Sequence, residues 1–274
     1  MPRGLGLGLG LRRGGSLAVP ASLTGWYTRV VAAGGAVTQS MVNALEPLVT
    51  AYANAGFTDA NCRFNPYCGV NLTAARVPVF RGGGADIDTN VNFIDSDYTP
   101  SGGLVGGSKY LDTTVAHSSL GGENTYHFGV YSLLSPTALG IQMGARNSDS
   151  QIQHLLLTDG TGKVISSIWS TSGGGVLSFA YANPTRFCLA NRVSSTSHAF
   201  YSDGTLRGSS ATLRTGTRPT LSTFVHARNN VGSPDGVGNH PLGGYSFGLN
   251  IPAASIAAVS AAWKTYSNAM GRMV

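Results

Sequence analysis

Between residues 124 and 247 the chain carries a reversal signal about every 8 to 12 residues, a rhythm that suits short strands and leaves no room for a helix of ordinary length. The signals are Asp159-Gly160, Gly173-Gly174-Gly175, Asn183-Pro184, Asp203-Gly204 and the loop Pro234-Asp235-Gly236. The segments between them read as strands: 126–133, 140–146, 153–157, 164–169, 176–181, 187–190, 198–202, 223–228 and 244–249. No long helical pattern separates these strands, so the sheets are expected to be antiparallel. The sharpest local case is RFCLANRVSSTSHAFYSDGTLRGSS at 186–210, where two apolar-rich runs flank a Ser/Thr reversal. Asp203-Gly204 then turns the chain again before Leu206, because Gly accepts positive φ and Asp bonds its own backbone.

Helical periodicity occurs only on either side of this β region. Met41, Val42, Leu45, Val49 and Tyr52 recur at spacings of three and four, and Gly56 ends the pattern. Pro47 either kinks this helix or opens a second one after a short first turn. At the other end Pro252 introduces, and Gly271 closes, a helix whose Ile256, Val259, Trp263, Tyr266 and Met270 form one apolar stripe. That stripe predicts a helix docked on the sandwich or on the first helix. Between them, 76–115 reads as further short strands, at 77–80, 87–93 and 110–115.

At 274 residues, with 38 Gly, 11% charged and 42% hydrophobic residues, the chain suits one turn-rich β domain over 37–274 rather than a disordered one. Residues 1–36 read as an extended arm and linker, with Trp26 and Tyr27 anchoring the linker on a surface. The arm alternates Gly with Leu5, Leu7, Leu9 and Leu11 between Arg3 and the pair Arg12-Arg13. A secretory or twin-arginine signal needs a longer unbroken apolar run, and no window approaches a membrane span, so neither export nor a membrane partner is expected. Period-two leucines suit strand addition to, or a groove on, another chain, which predicts an assembly arm and a homo-oligomer.

The net charge of +6 comes almost wholly from Arg, with lysines only at 109, 163 and 264, and the arginines form no cluster. Nucleic acid is therefore not an expected partner. Cys62, Cys68 and Cys188 make neither a disulfide framework nor a zinc set, and no cofactor or metal is expected on them. In DIDTNVNFIDSD, oxygen donors Asp86, Asp88, Asn90, Asn92 and Asp97 fall at EF-hand positions, but Val91 stands where such a loop needs Gly. The same letters alternate as a half-exposed strand does, and the strand is the favoured reading.

Catalytic signals are sparse. Glu46 and Glu123 are the only glutamates, there is no Glu-x-Asp-x-Glu run, and neither Gly-x-Ser-x-Gly nor His-Glu-x-x-His occurs. No enzyme is expected, and no catalytic residue is assigned. Three strands do end alike: Ala145-Arg146-Asn147, Ala190-Asn191-Arg192 and Ala227-Arg228-Asn229-Asn230. One reading makes these a polar platform for sugar hydroxyls, with Trp169 and Tyr181 as loop aromatics beside it. The other has Asn capping turns and Arg lying along neighbouring strands.

A strand, a polar reversal and a strand ending in Tyr-x-Asp-Gly-x-Leu resembles the central hairpin of concanavalin A-like (laminin G-like) jelly-roll domains. The wider order of helix, GGSKYLDT, GARN, LANR, YSDGTL, HARNN and GYSFGLNIPAASIAAVSAAWKTYSNAMG resembles, over about residues 37–272, tailed-bacteriophage virion proteins with such a sandwich. The resemblance implies a mainly β, antiparallel jelly-roll with one helical segment before it and one closing C-terminal helix. It also implies a virion structural protein, in a tail fibre or in capsid decoration, assembled in the host cytoplasm and joined to other virion proteins through its arm. The alternative is a module recognising a host surface glycan. A third reading, a glycosidase-like depolymerase using aspartates, has no residue pattern of its own.

Overall fold

The computed structural model describes residues 17–122, 124–134, 140–148, 151–157, 163–170, 176–180, 186–211 and 218–272. The assembly-arm residues Arg3 to Arg13 and the candidate Tyr181 lie outside the described residues. The helices are α1 (Thr24–Ala32), α2 (Gln39–Asn54), α3 (Leu72–Ala75) and α4 (Ala253–Ala269). The first strands are β1 (Cys62–Asn65), β2 (Phe80–Arg81), β3 (Thr89–Val91), β4 (Tyr98–Thr99), β5 (Gly103–Val105) and β6 (Tyr110–Ala116). Next come β7 (Tyr126–Ser132), β8 (Ile141–Ser148), β9 (Gln151–Leu157), β10 (Lys163–Ser170), β11 (Val176–Ala180) and β12 (Arg186–Ser194). The last are β13 (Ser197–Ser202), β14 (Thr205–Ser210), β15 (Ser222–Val225), β16 (Arg228–Asn230), β17 (Ser233–Asp235) and β18 (Pro241–Gly248).

Among the described residues these strands form two nine-stranded sheets. Sheet A runs β14-β13-β12-β7-β18-β1-β2 with β5 and β4 beside it, and sheet B runs β11-β10-β9-β8-β15-β6-β3 with β16 and β17 beside it. Pairing between the strands is antiparallel, as expected, apart from β16, which runs parallel to β8. The chain is thus mainly β, a sandwich with few helices and a closing C-terminal one.

Alternation along the central strands sorts side chains into two cores. From β12, Cys188 and Ala190 join Phe128, Val130, Met143, Val225 and Phe247 between the sheets, while Phe187 and Leu189 face the other way, into the helices. The centre of sheet A is therefore buried on both faces, and all of β7 is buried. α4 docks there through the expected stripe, with Ile256, Val259, Trp263, Tyr266 and Met270 all buried. α2 packs beside it as one helix with Pro47 inside; Thr38 caps it, its side-chain oxygen accepting from Met41 N at 3.3 Å. No helix of the described residues is long and apolar enough to cross a membrane.

Other expectations change. Residues 17–36 are not a plain linker: they contain α1, whose Trp26 and Val30 are buried in the helix-side core. The strand expected at 87–93 shortens to β3, and that at 77–80 to β2. The strand expected at 223–228 divides into β15 and β16 because His226 adopts φ +68°, which no extended strand accommodates. The Asp203-Gly204 turn has φ +49° and +75°, the paired positive values that a tight hairpin turn demands.

Candidate functional site

Parallel pairing of β16 with β8 sets Arg228 opposite Gly144, Asn229 opposite Ala145 and Asn230 opposite Arg146. β17 folds back on β16 and brings Asp235 opposite Arg228. Arg228 Nη2 donates to Asp235 Oδ2, and Asn230 Nδ2 lies 3.5 Å from the same oxygen. The Arg228 hydrogen bond, with Arg146 adding its charge nearby, holds the Asp235 carboxyl below its ordinary range against the opposing effect of burial. Two guanidinium groups thus flank one carboxylate on half-buried positions.

The hairpin tip is strained. Val231 takes φ +52° and Gly232 φ +90°, and a β-branched residue in this left-handed region is an outlier. Val231 is also 64% exposed, while its N–H donates to Arg146 O at 2.9 Å. Asn229 fixes the turn beneath: its Nδ2 donates to Ser222 O at 2.9 Å and its Oδ1 accepts from Gly232 N at 2.9 Å. Asn147 is likewise engaged, with Thr220 N donating to its Oδ1 at 3.0 Å and its Nδ2 donating to Thr220 Oγ1 at 3.2 Å.

The other triplet belongs to sheet A and is built differently. Asn191 is buried and clamps Ile251, donating to its carbonyl at 2.9 Å and accepting from its N–H at 2.9 Å. Arg192 is buried too, and its Nη2 donates to Ser195 O at 2.7 Å and Asn124 Oδ1 at 3.1 Å. Burial lowers the pKa of its guanidinium, with Tyr126 opposing. Contacts run from Arg192 opposite Tyr126, through the Tyr126–His117 ring pair at 4.7 Å and the Ala116–Ser222 pairing, to Asn229. The platform expected from three triplets is corrected on two counts. Arg228 opens its strand rather than ending it, and Asn191, Arg192 and Asn229 are turned inward, where backbone groups occupy them. Trp169 lies in β10.

The 86–97 segment is also tied up. Asp88 is fully buried and accepts from Arg63 Nη2 at 2.6 Å, from Asn65 Nδ2 at 2.9 Å and from Tyr245 OH at 2.8 Å. Asp86 accepts from Arg81 Nη1 at 3.1 Å, Asn90 bonds both backbone groups of Phe93, and Asp97 pairs with Lys109. Burial works against the Arg63 charge, but Asp88 and Tyr245 outweigh it and raise its pKa. Asp88 is a structural carboxylate locking β1 and β18 to the loop before β3.

The β16–β17 hairpin was legible only as a Pro-Asp-Gly loop. Its strained turn at 230–233 carries no Asn or Asp at the first central position, so no turn rule reveals it.

No family model matches the chain, and neither does any curated protein. Among solved structures, a Trypanosoma rangeli sialidase in complex with 2,3-difluorosialic acid is similar with a TM-score of 0.47 and 10% identity, over 73% of this chain and 32% of that one. The NanB sialidase of Streptococcus pneumoniae has a TM-score of 0.44 and 13% identity, over 56% of this chain and 26% of that one. The CBM40 module of the Ruminococcus gnavus IT-sialidase bound to α2,3-sialyllactose has a TM-score of 0.39 and 11% identity, over 50% of this chain and 82% of that one. The chain spans 26% to 32% of the length of these two sialidases.

Proposed function

We propose that this chain is a non-catalytic glycan-binding module whose contact surface is the β16–β17 hairpin with the end of β8. The observation that carries this reading is Val231, an exposed β-branched residue held at positive φ between Arg146 and the Arg228–Asp235 pair. Strain of this kind persists where the surroundings over-determine it, and it concentrates at ligand contacts. Planar guanidinium, amide and carboxylate groups on fixed strands suit adjacent sugar hydroxyls, offering donors and an acceptor side by side. Catalysis has no comparable support, because Asp59, Asp86, Asp88, Asp97 and Asp235 are each paired with Arg or Lys. At Asp59, Asp97 and Asp235 the hydrogen bonds and paired cations outweigh burial and hold the carboxyl below its ordinary range, the opposite of what a general acid requires.

A glycan array with the full chain tests the reading. Binding to a defined glycan class, lost in Arg228→Ala and in Arg146→Ala without a change in melting, is the expected result. An array without a single hit, or hits that both variants keep, removes it.

The second reading is a virion assembly and display module, placed in the particle, with residues 1–16 as its attachment to other virion proteins and to copies of itself. It rests on the sequence order over residues 37–272. Deleting residues 1–16 is expected to leave a folded domain that no longer joins the particle, and normal incorporation of the truncated chain would dismiss it.

A further inference from the structure

A cleft of about 370 Å³ lies between α1, the C-terminal half of α2 and β2, far in sequence from the hairpin. This volume falls in the range of small-ligand clefts, about 300 to 1,000 Å³. Val49, Phe57, Val79 and Phe80 supply an apolar lining. Trp26 adds carbon surface only, since its indole N–H already donates to Val77 O at 3.1 Å.

Two charged side chains, Arg29 and Asp59, line this cleft beside the Ser22 and Thr58 hydroxyls, and the two differ in what they still offer. Arg29 Nη2 is engaged, donating to Pro78 O and Val79 O at 2.9 Å each. Among the described residues no acceptor is bonded to Arg29 Nη1, and Nε is buried without a hydrogen bond, its nearest carboxylate oxygen being Asp86 Oδ1 at 4.0 Å. Nη1 is next to Gly25, another residue of the cleft, where a Cβ would stand 3.7 Å from it. Asp59 accepts from Arg81 N at 2.7 Å and from Arg81 Nε at 2.6 Å, yet its side chain remains 41% exposed, with lone pairs left to accept more.

Charge decides the class of ligand. Arg29 and Arg81 are balanced by Asp59 and Asp86, all four in contact or near contact, so the cleft offers no net charge to an ion. It offers a donor, an acceptor and an apolar lining to a neutral molecule. We infer that this cleft binds one neutral, hexose-sized polyol, with a hydroxyl accepting from Arg29 Nη1, another donating to Asp59, and the C–H face of the ring against Phe57 and Phe80. Burial is the largest influence on Arg29 and disfavours its charge, so a bound hydroxyl oxygen also relieves a desolvated cation. The inference shares a sugar-like ligand class with the proposed function, but it concerns a separate site.

Saturation-transfer NMR on the full chain tests it, with glucose, galactose and N-acetylglucosamine as neutral probes and benzoate as the anionic one. At least one hexose is expected to receive saturation, strongest on its ring C–H protons, while benzoate receives none. Gly25→Leu fills the cleft from a helical position with ordinary backbone geometry and removes a weak helix former, so it should keep the melting temperature and abolish the signal. Arg29→Met should weaken binding about tenfold or more, as the loss of a charge-assisted hydrogen bond does. Silence from all three hexoses, benzoate outcompeting them, or a hexose signal that survives Gly25→Leu would each overturn the inference. Arg228→Ala separates the two sites, since it should remove hairpin binding on the array and leave this signal intact.

Discussion

On the helix side of sheet A, Trp263 Nε1 donates to Tyr52 OH at 2.9 Å, Tyr52 OH to Ser246 Oγ at 2.8 Å, and Ser246 Oγ lies 3.1 Å from His127 Nε2. His127 Nδ1 closes the chain on Leu249 O. At the hairpin corner of sheet B, Arg146, Arg228, Asn230 and Asp235 share one half-buried cluster around an exposed, strained Val231. The first region links these polar groups to one another and stacks aromatic rings around them. The second keeps polar atoms at the surface on a backbone that costs free energy to hold. Stability is concentrated where the helices cover the sheet, and the recognition we propose uses the half-buried corner.

Breaking the covered side should have the largest effect. Trp263 is fully buried, with ring partners Phe64, Tyr131, Phe187 and Tyr266, and Trp263→Ala is expected to cost about 3 to 5 kcal/mol in denaturant unfolding. A loss below about 1 kcal/mol would mean that α4 does not hold this face. Asp88→Ala should come close, about 3 to 5 kcal/mol, because it strands the Arg63 charge in the interior. Adding Arg63→Met to that variant should recover part of the loss; no recovery would show that the buried charge is not the cause.

Acid sharpens the comparison through histidines buried in a neutral form. Burial lowers the pKa of His127 to about 4 and that of His226 to about 3, the latter with His240 adding to the shift. In the unfolded chain both titrate near the ordinary value of about 6.5, so between there and the folded values the unfolded state binds more protons. Stability present above about pH 6.5 is therefore lost as pH falls toward 4, by up to about 1.4 kcal/mol per pH unit for each histidine. His127→Gln should make the fall in melting temperature between pH 6.5 and 4.5 shallower, leaving the share of His226. An unchanged slope would remove His127 from this account.

What was legible in the sequence follows the same division. α4 could be read because five large side chains repeat at helical spacing, and the β13–β14 turn because Asp-Gly takes positive φ readily. α1 could not, since Gly25, Thr28, Val30 and Val31 are weak helix formers. Tertiary bonds fix it instead, from Trp26 to Val77 O and from Arg29 to Pro78 O and Val79 O. For the candidate site, the repeated Ala-Arg-Asn lettering was visible, but not which copies face inward. Asn191 and Asn229 are occupied by backbone groups distant in sequence or hidden in a turn, and composition does not show where a side chain points.

The smallest effect is the most discriminating test of the uncovered corner. An L-residue in the left-handed region costs roughly 1 to 2 kcal/mol, and at 64% exposed Val231 buries little surface to offset it. Val231→Gly removes that strain but adds the backbone entropy of Gly, about 0.5 to 1 kcal/mol. The balance should lie between about zero and 1.5 kcal/mol of gain, read as a slightly higher melting temperature. If the strained tip serves recognition, the same variant should weaken binding on the glycan array, because an exposed contact and the rigidity of the turn are lost together. A more stable variant that binds as well as the parent would leave Val231 without a role in recognition. A variant that is less stable would mean that the turn, like the helix side of sheet A, is held by packing.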